Sequence, residues 1–87
     1  MAPTGDLDVA SADVLRAEVQ ELRRAGAGRV VLDLAGVEFM DCAGLGSLLV
    51  LRNDAKRAKQ SLTLLPGPPP VQRLFALTAT RGLFDWA

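Results

Sequence analysis

The residues best suited to chemistry fall on one short stretch, Asp41-Cys42-Ala43-Gly44-Leu45-Gly46-Ser47. A carboxylate directly before a helical pattern reads as an N-cap, its oxygen accepting a backbone N–H that the first turn leaves unpaired; that alone is worth about 1 kcal/mol and explains Asp41 without a ligand. Cys42 is the only cysteine, so no internal disulfide forms. A helix start favours a thiolate and the adjacent carboxylate disfavours it, which points to a small semi-buried side chain rather than a redox sensor. Ser47 carries a hydroxyl, but a mid-helix serine more often faces water or bonds to the backbone than does chemistry. A helix N-terminus also attracts anions, yet no lysine completes a P-loop around Gly44 to Gly46, and Asp41 repels an anion. The chain has no histidine. A metal site thus lacks its commonest ligand, and a nucleophile lacks a recognisable base. No catalytic residue, no metal ligand and no cofactor is expected.

These residues need a scaffold, and 87 residues that are 49% hydrophobic are enough for one compact core. Ten acidic and ten basic side chains cancel. No net field draws the chain to nucleic acid, and no direct nucleic-acid contact is expected. No uninterrupted apolar stretch is longer than Leu48 to Leu51, which is far below the roughly 20 residues of a membrane span. With no secretory signal after Met1, the expectation is a cytoplasmic protein without membrane insertion.

Leu15, Val19 and Leu22 recur at helical spacing after Ser11 and predict a first helix over Ala12 to Ala25, closed by a left-handed Gly26. Val30 to Leu34 reads as a buried strand. Gly36 is followed by Val37, Glu38, Phe39 and Met40, which lead into Asp41. A second helix then runs to about Lys59 with Leu48, Leu51, Ala55 and Ala58 on one side, and its cations Arg52, Lys56 and Lys59 sit toward the end where the helix dipole favours them. Ser61 to Leu65 is a short apolar strand stopped by prolines. Pro70 suits the first turn of a third helix bearing Val71, Leu74, Phe75 and Leu77, and Gly82 marks its exit. Leu83, Phe84 and Trp86 form a last strand or an anchoring tail, and the aromatics read as packing rather than a ligand box. Single strands alternating with single helices imply parallel pairing by right-handed crossovers: an α/β fold, a small mostly parallel sheet of about four strands with three helices. Binding sites in such sheets lie beyond the carboxyl ends of the strands, where Asp41 and the second helix begin.

Taken together, Gly5-Asp6-Leu7-Asp8, Val30 to Leu34 with Gly36, Val37 and Phe39, Asp41 to Gly46, and the closing Pro70 to Thr78 with Gly82-Leu83-Phe84 resemble the STAS domain shared by sulfate transporters and anti-sigma factor antagonists. The resemblance covers nearly the whole chain and implies a single STAS domain over residues 1–87, with a shortened N-terminal strand region. It further implies that an anti-sigma factor, usually of the serine kinase type, docks on the turn into helix two. Asp8 resembles the acidic residue closing the family's first motif, and Asp41 the aspartate before the modified hydroxyl. The implied partner-binding residues are therefore Asp8, Asp41, Cys42, Ala43, Gly44 and Leu45.

One departure matters. Relatives switched by phosphorylation carry Ser or Thr where this chain has Ala43, so no phosphorylation site is expected there. A phosphate would add roughly 1.5 to 2 negative charges beside Asp41, which is how such a modification ejects a partner. The resemblance thus implies an antagonist without the usual switch. Members of that family usually carry a further strand or hairpin before the Gly5 to Asp8 motif, so the resemblance implies an open sheet edge here, a candidate for strand pairing with a second copy, as a homodimer, or with another protein. The alternative reading is a STAS regulatory subunit of a lipid-trafficking ABC transporter, which Ala43 favours and the closing Leu74 to Phe84 segment disfavours.

Overall fold

The computed structural model describes residues 1–87. In chain order the elements are β1 (Gly5–Leu7), α1 (Val9–Arg24), β2 (Arg29–Asp33), β3 (Val37–Met40), α2 (Cys42–Arg57), β4 (Ser61–Leu65), α3 (Pro69–Leu77), a 3-10 turn (Arg81–Leu83) and β5 (Asp85–Trp86). Every strand pair is parallel. β1 lies on β3 with Leu7 opposite Met40, β2 on β4 with Leu32 opposite Leu64, and β4 on β5 with Leu64 opposite Trp86. The fold is the α/β arrangement with three helices read from the sequence, with its strands divided between a two-stranded and a three-stranded ladder.

The division falls where the chain turns between β2 and β3. The Asp33 carboxylate accepts the Ala35 N–H at 2.9 Å, and the Val37 N–H donates back to the Leu34 carbonyl at 3.0 Å. β3 is the strand that periodicity does not announce. Val37 and Met40 are buried while Glu38 and Phe39 face outward, so the alternation that marks a half-buried strand is broken.

Helix α1 starts three residues earlier than its apolar spacing suggests, because Asp8 and not Ser11 is the cap. Its buried residues are Ala12, Leu15 and Val19, whereas Leu22 is exposed. Gly26 is left-handed, as its place after the last turn requires. Helix α2 begins at the Asp41 cap and stops at Arg57, short of Lys59, which has a positive φ of 55°. It buries Leu45, Leu48, Leu51 and Ala55 but leaves Ala58 outside. Helix α3 starts at Pro69, where a missing N–H costs nothing; Val71 and Phe75 enter the core, Leu74 packs on its margin and Leu77 is exposed.

Eighteen apolar residues from every helix and all but the last strand form one core, with no buried charged or polar residue among them. At its C-terminal side Phe75 meets Phe84 and Trp86 edge to face, with ring centroids 5.5 and 4.9 Å apart. The Trp86 indole N–H donates to the Arg81 carbonyl at 2.8 Å, so these aromatics are packing. No helix is long and apolar enough to cross a membrane. Alongside β1, the backbone N–H and C=O groups of Ala2 and Thr4 have no partner within the chain, and a cavity of about 350 Å³ lined by Ala2, Thr4, Val14 and Glu18 flanks them.

Candidate docking site

Two helix starts meet at the carboxyl ends of the strands. β1 delivers Asp8 to the head of α1 and β3 delivers Asp41 to the head of α2. A backbone bond from the Asp41 N–H to the Leu7 carbonyl, at 3.4 Å, ties the two starts together. Residues 33 apart in sequence are thereby neighbours in space.

Each aspartate is a working cap. The Asp41 Oδ1 accepts the Gly44 N–H at 2.9 Å. The Asp8 Oδ1 accepts the Ser11 N–H at 3.1 Å, and the Asp8 N–H donates to the Ser11 hydroxyl oxygen at 2.9 Å, a reciprocal capping box. The single Ser11 hydroxyl proton is shared between the Asp6 carbonyl, at 2.7 Å, and the Asp8 Oδ1, at 3.0 Å. Hydrogen bonds from the Ser11 backbone, and next from the Ser11 side chain, hold the Asp8 carboxyl below its ordinary value of 3.8. The Asp8-x-x-Ser11 spacing carried this signal, with the customary residue types exchanged.

The remaining candidates separate by depth. Cys42 is exposed rather than semi-buried, and Ala43 is half-buried. Gly44 and Leu45 are buried, so they form the floor of the turn and offer no surface. The reason for Gly44 is steric: a β-carbon there would overlap the Leu7 carbonyl oxygen and press on the Met40 side chain. Gly46 has open space at the same test and is not needed for close packing. One residue that the motif reading included without a docking role stands beside the turn. Phe39 is opposite Asp6 in the β1–β3 ladder and is 51% exposed, an unusual position for a phenylalanine in a strand. No cluster of three or more Cys, Asp or Glu side chains has the geometry to hold a metal ion.

A family model described as "Mlab, STAS domain" matches residues 2–84. The chain belongs to the STAS domain family. Among curated STAS relatives, the anti-sigma F factor antagonist of Paenibacillus polymyxa is 30% identical over 82 residues, which are 93% of this chain and 68% of that protein. Among solved structures, the anti-sigma factor antagonist SpoIIAA in its unphosphorylated form superposes with a TM-score of 0.80 at 22% identity, covering 99% of this chain and 76% of that one. The NMR structure of TM1081 gives a TM-score of 0.84 at 21% identity, covering 99% and 70%. These two structural likenesses establish that the STAS fold is shared. The Paenibacillus relative places the chain with the anti-sigma factor antagonists of the family.

Proposed function

We propose that this STAS domain is a cytoplasmic anti-sigma factor antagonist that docks its anti-sigma factor, of the serine kinase type, on the turn Asp41–Ala43 and the adjoining Asp8. It acts by binding and not by catalysis. The observation that carries the reading is the Asp41 to Leu7 backbone bond, which joins two capped helix starts and an exposed Cys42 into one surface. Gly44 and Leu45 support that surface from beneath. Ala43 supplies no hydroxyl, so the surface keeps a fixed charge where a phosphorylated relative changes its own by roughly 1.5 to 2 units.

Tagged protein purified from its native cells tests the reading: an anti-sigma factor should co-purify, and Ala43→Asp should weaken its capture. Intact mass after incubation with that kinase and ATP should be unchanged. A phosphate gained on the wild-type chain, at Ser47 or elsewhere, refutes the unswitched form of the proposal.

Ala43, which carries no hydroxyl, favours a second reading as the STAS regulatory subunit of a lipid-trafficking ABC transporter, and the matching family description names Mlab rather than an antagonist. An ABC ATPase in place of an anti-sigma factor in the same purification decides for it. The unpaired backbone of Ala2 and Thr4 supports a homodimer through that edge. Sedimentation at rising concentration decides the point, a strict monomer excluding it.

A further inference from the structure

The chain is neutral as a whole but strongly divided in charge. Residues 1–15 and 30–51 hold six acidic side chains, Asp6, Asp8, Asp13, Asp33, Glu38 and Asp41, and no basic one. All ten basic side chains lie in the other segments, with only four acidic ones. The fold converts most of this sequence pattern into two poles, because all strands run the same way and both long helices run back against them; the exception is Arg73, on α3, which starts at the carboxyl end of β4 and packs against β3. Asp8 and Asp41 head α1 and α2, and Asp33 ends β2. Arg23 and Arg24 occupy the last turn of α1, Arg29 opens β2, and Lys56 and Arg57 close α2. The Ser61 N–H donates to the Gly28 carbonyl at 3.0 Å, which holds the α2–β4 and α1–β2 connections together at this second end. Each 16-residue helix separates the poles by roughly 24 Å, well over a Debye length of about 8 Å at physiological salt.

The three short ion pairs of the chain do not bridge the poles. Arg16–Asp13, Arg24–Glu21 and Arg57–Asp54 each span three residues of one helix, and only the first neutralises an acid of the docking end. The other carboxylates of that end have no ion-pair partner, and Phe39, opposite Asp6 and two residues before the Asp41 cap, is exposed among them, as is Val9 beside Asp8.

From this we infer that the partner of the docking face presents a cationic surface with an apolar socket for Phe39, and that the basic pole repels the same surface and so orients the encounter. The inference rests on the docking reading above for the location of the face. Charge complementarity selects the partner's chemistry, since an acidic or neutral surface gains nothing from this end. It acts chiefly on the association rate, which such fields raise by about 10- to 1,000-fold at low salt. Phe39 acts on dissociation, as a buried aromatic anchor does.

The test needs no identified partner. Amide chemical shifts of the whole chain are followed by NMR while a soluble arginine–leucine peptide, and separately its glutamate–leucine counterpart, is titrated in. The expected result is a response to the arginine peptide alone, centred on Asp8, Phe39, Asp41 and Cys42 and weakened at least about tenfold at high salt. An Asp6→Asn, Glu38→Gln double variant should weaken that response and Phe39→Ser should weaken it separately. Both alter exposed side chains, and an unchanged amide spectrum of the free variant verifies its fold. Equal response to both peptides, response at Arg23, Lys56 and Arg57, or no response overturns the inference. Failure of the docking reading is a different result: the arginine peptide binds as stated, but no anti-sigma factor co-purifies.

Discussion

Gly44 stands so close to Leu7 that a side chain of any size would collide with the Leu7 carbonyl oxygen. The first turn of α2 therefore rests directly on the end of β1, and the height of Asp41 and Cys42 above the sheet is set by a missing β-carbon. Gly44→Ala should force α2 away from β1 and cost on the order of 1–3 kcal/mol, the usual range for overpacking. Gly46→Ala, two residues on and in open space, should instead stabilise the helix by roughly 0.5–1 kcal/mol. Urea unfolding of the pair measures both, and the opposite signs are the point of the comparison.

The two roles of Asp41 can be separated by chemistry. Asp41→Ser retains an oxygen for the Gly44 N–H but removes the charge, whereas Asp41→Ala removes both. The alanine variant should lose about 1 kcal/mol of stability and the serine variant much less. If the carboxylate also meets the partner, both should lose affinity alike in a binding titration.

Asp8 predicts an acid limb to the stability curve. Its folded carboxyl titrates below the ordinary 3.8, so the ionised form is the one the fold favours. The stabilisation is fully present above the unfolded value and fades as pH falls through the folded one. Thermal melts from neutrality down through the carboxylate range should show Tm falling, and Asp8→Asn or Ser11→Ala should flatten that fall, because Ser11 supplies the hydrogen bonds responsible.

Cys42 gives a direct test of the proposed docking face. As the single thiol, and an exposed one, it should take up one equivalent of a thiol reagent in the native protein without denaturant. Bound partner should slow that labelling markedly, and an unchanged rate would place the contact elsewhere.

The aromatic corner gives a control far from the site. Phe75 is fully buried and meets both Phe84 and Trp86 edge to face. Phe75→Ala should cost about 3–5 kcal/mol and shift Trp86 fluorescence toward that of exposed indole, while the Cys42 labelling rate of the folded fraction stays the same.

How far these features could be read from residues alone depended on the kind of signal each one leaves. Ser61–Leu65 coincides with its predicted strand because an apolar run ended by prolines has one reading. Asp41 was recognisable as a cap because nothing but its own position before the helix defines it. β3 was hidden because two adjacent residues, Glu38 and Phe39, both face outward, and the start of α1 was misplaced because a capping box with exchanged residue types resembles a cap at Ser11. At the site, the motif brought Asp8 and Asp41 forward together. It carried no information on depth, so Gly44 and Leu45 stood beside Cys42 as equals until packing distinguished floor from surface. The division of charge was present in the letters throughout, but net neutrality concealed it until the strand directions were known.

The all-parallel pairing carries a kinetic consequence. No two neighbouring strands are joined by a tight hairpin, so each ladder forms only after the chain has travelled through an intervening helix or longer excursion. Nucleation must therefore be non-local, and refolding should be slower than that of a helical bundle of equal length. Protein newly leaving the ribosome would keep Leu32 uncovered until β4 emerges, and Leu64 until β5 follows, a window in which chaperones or aggregation compete for it.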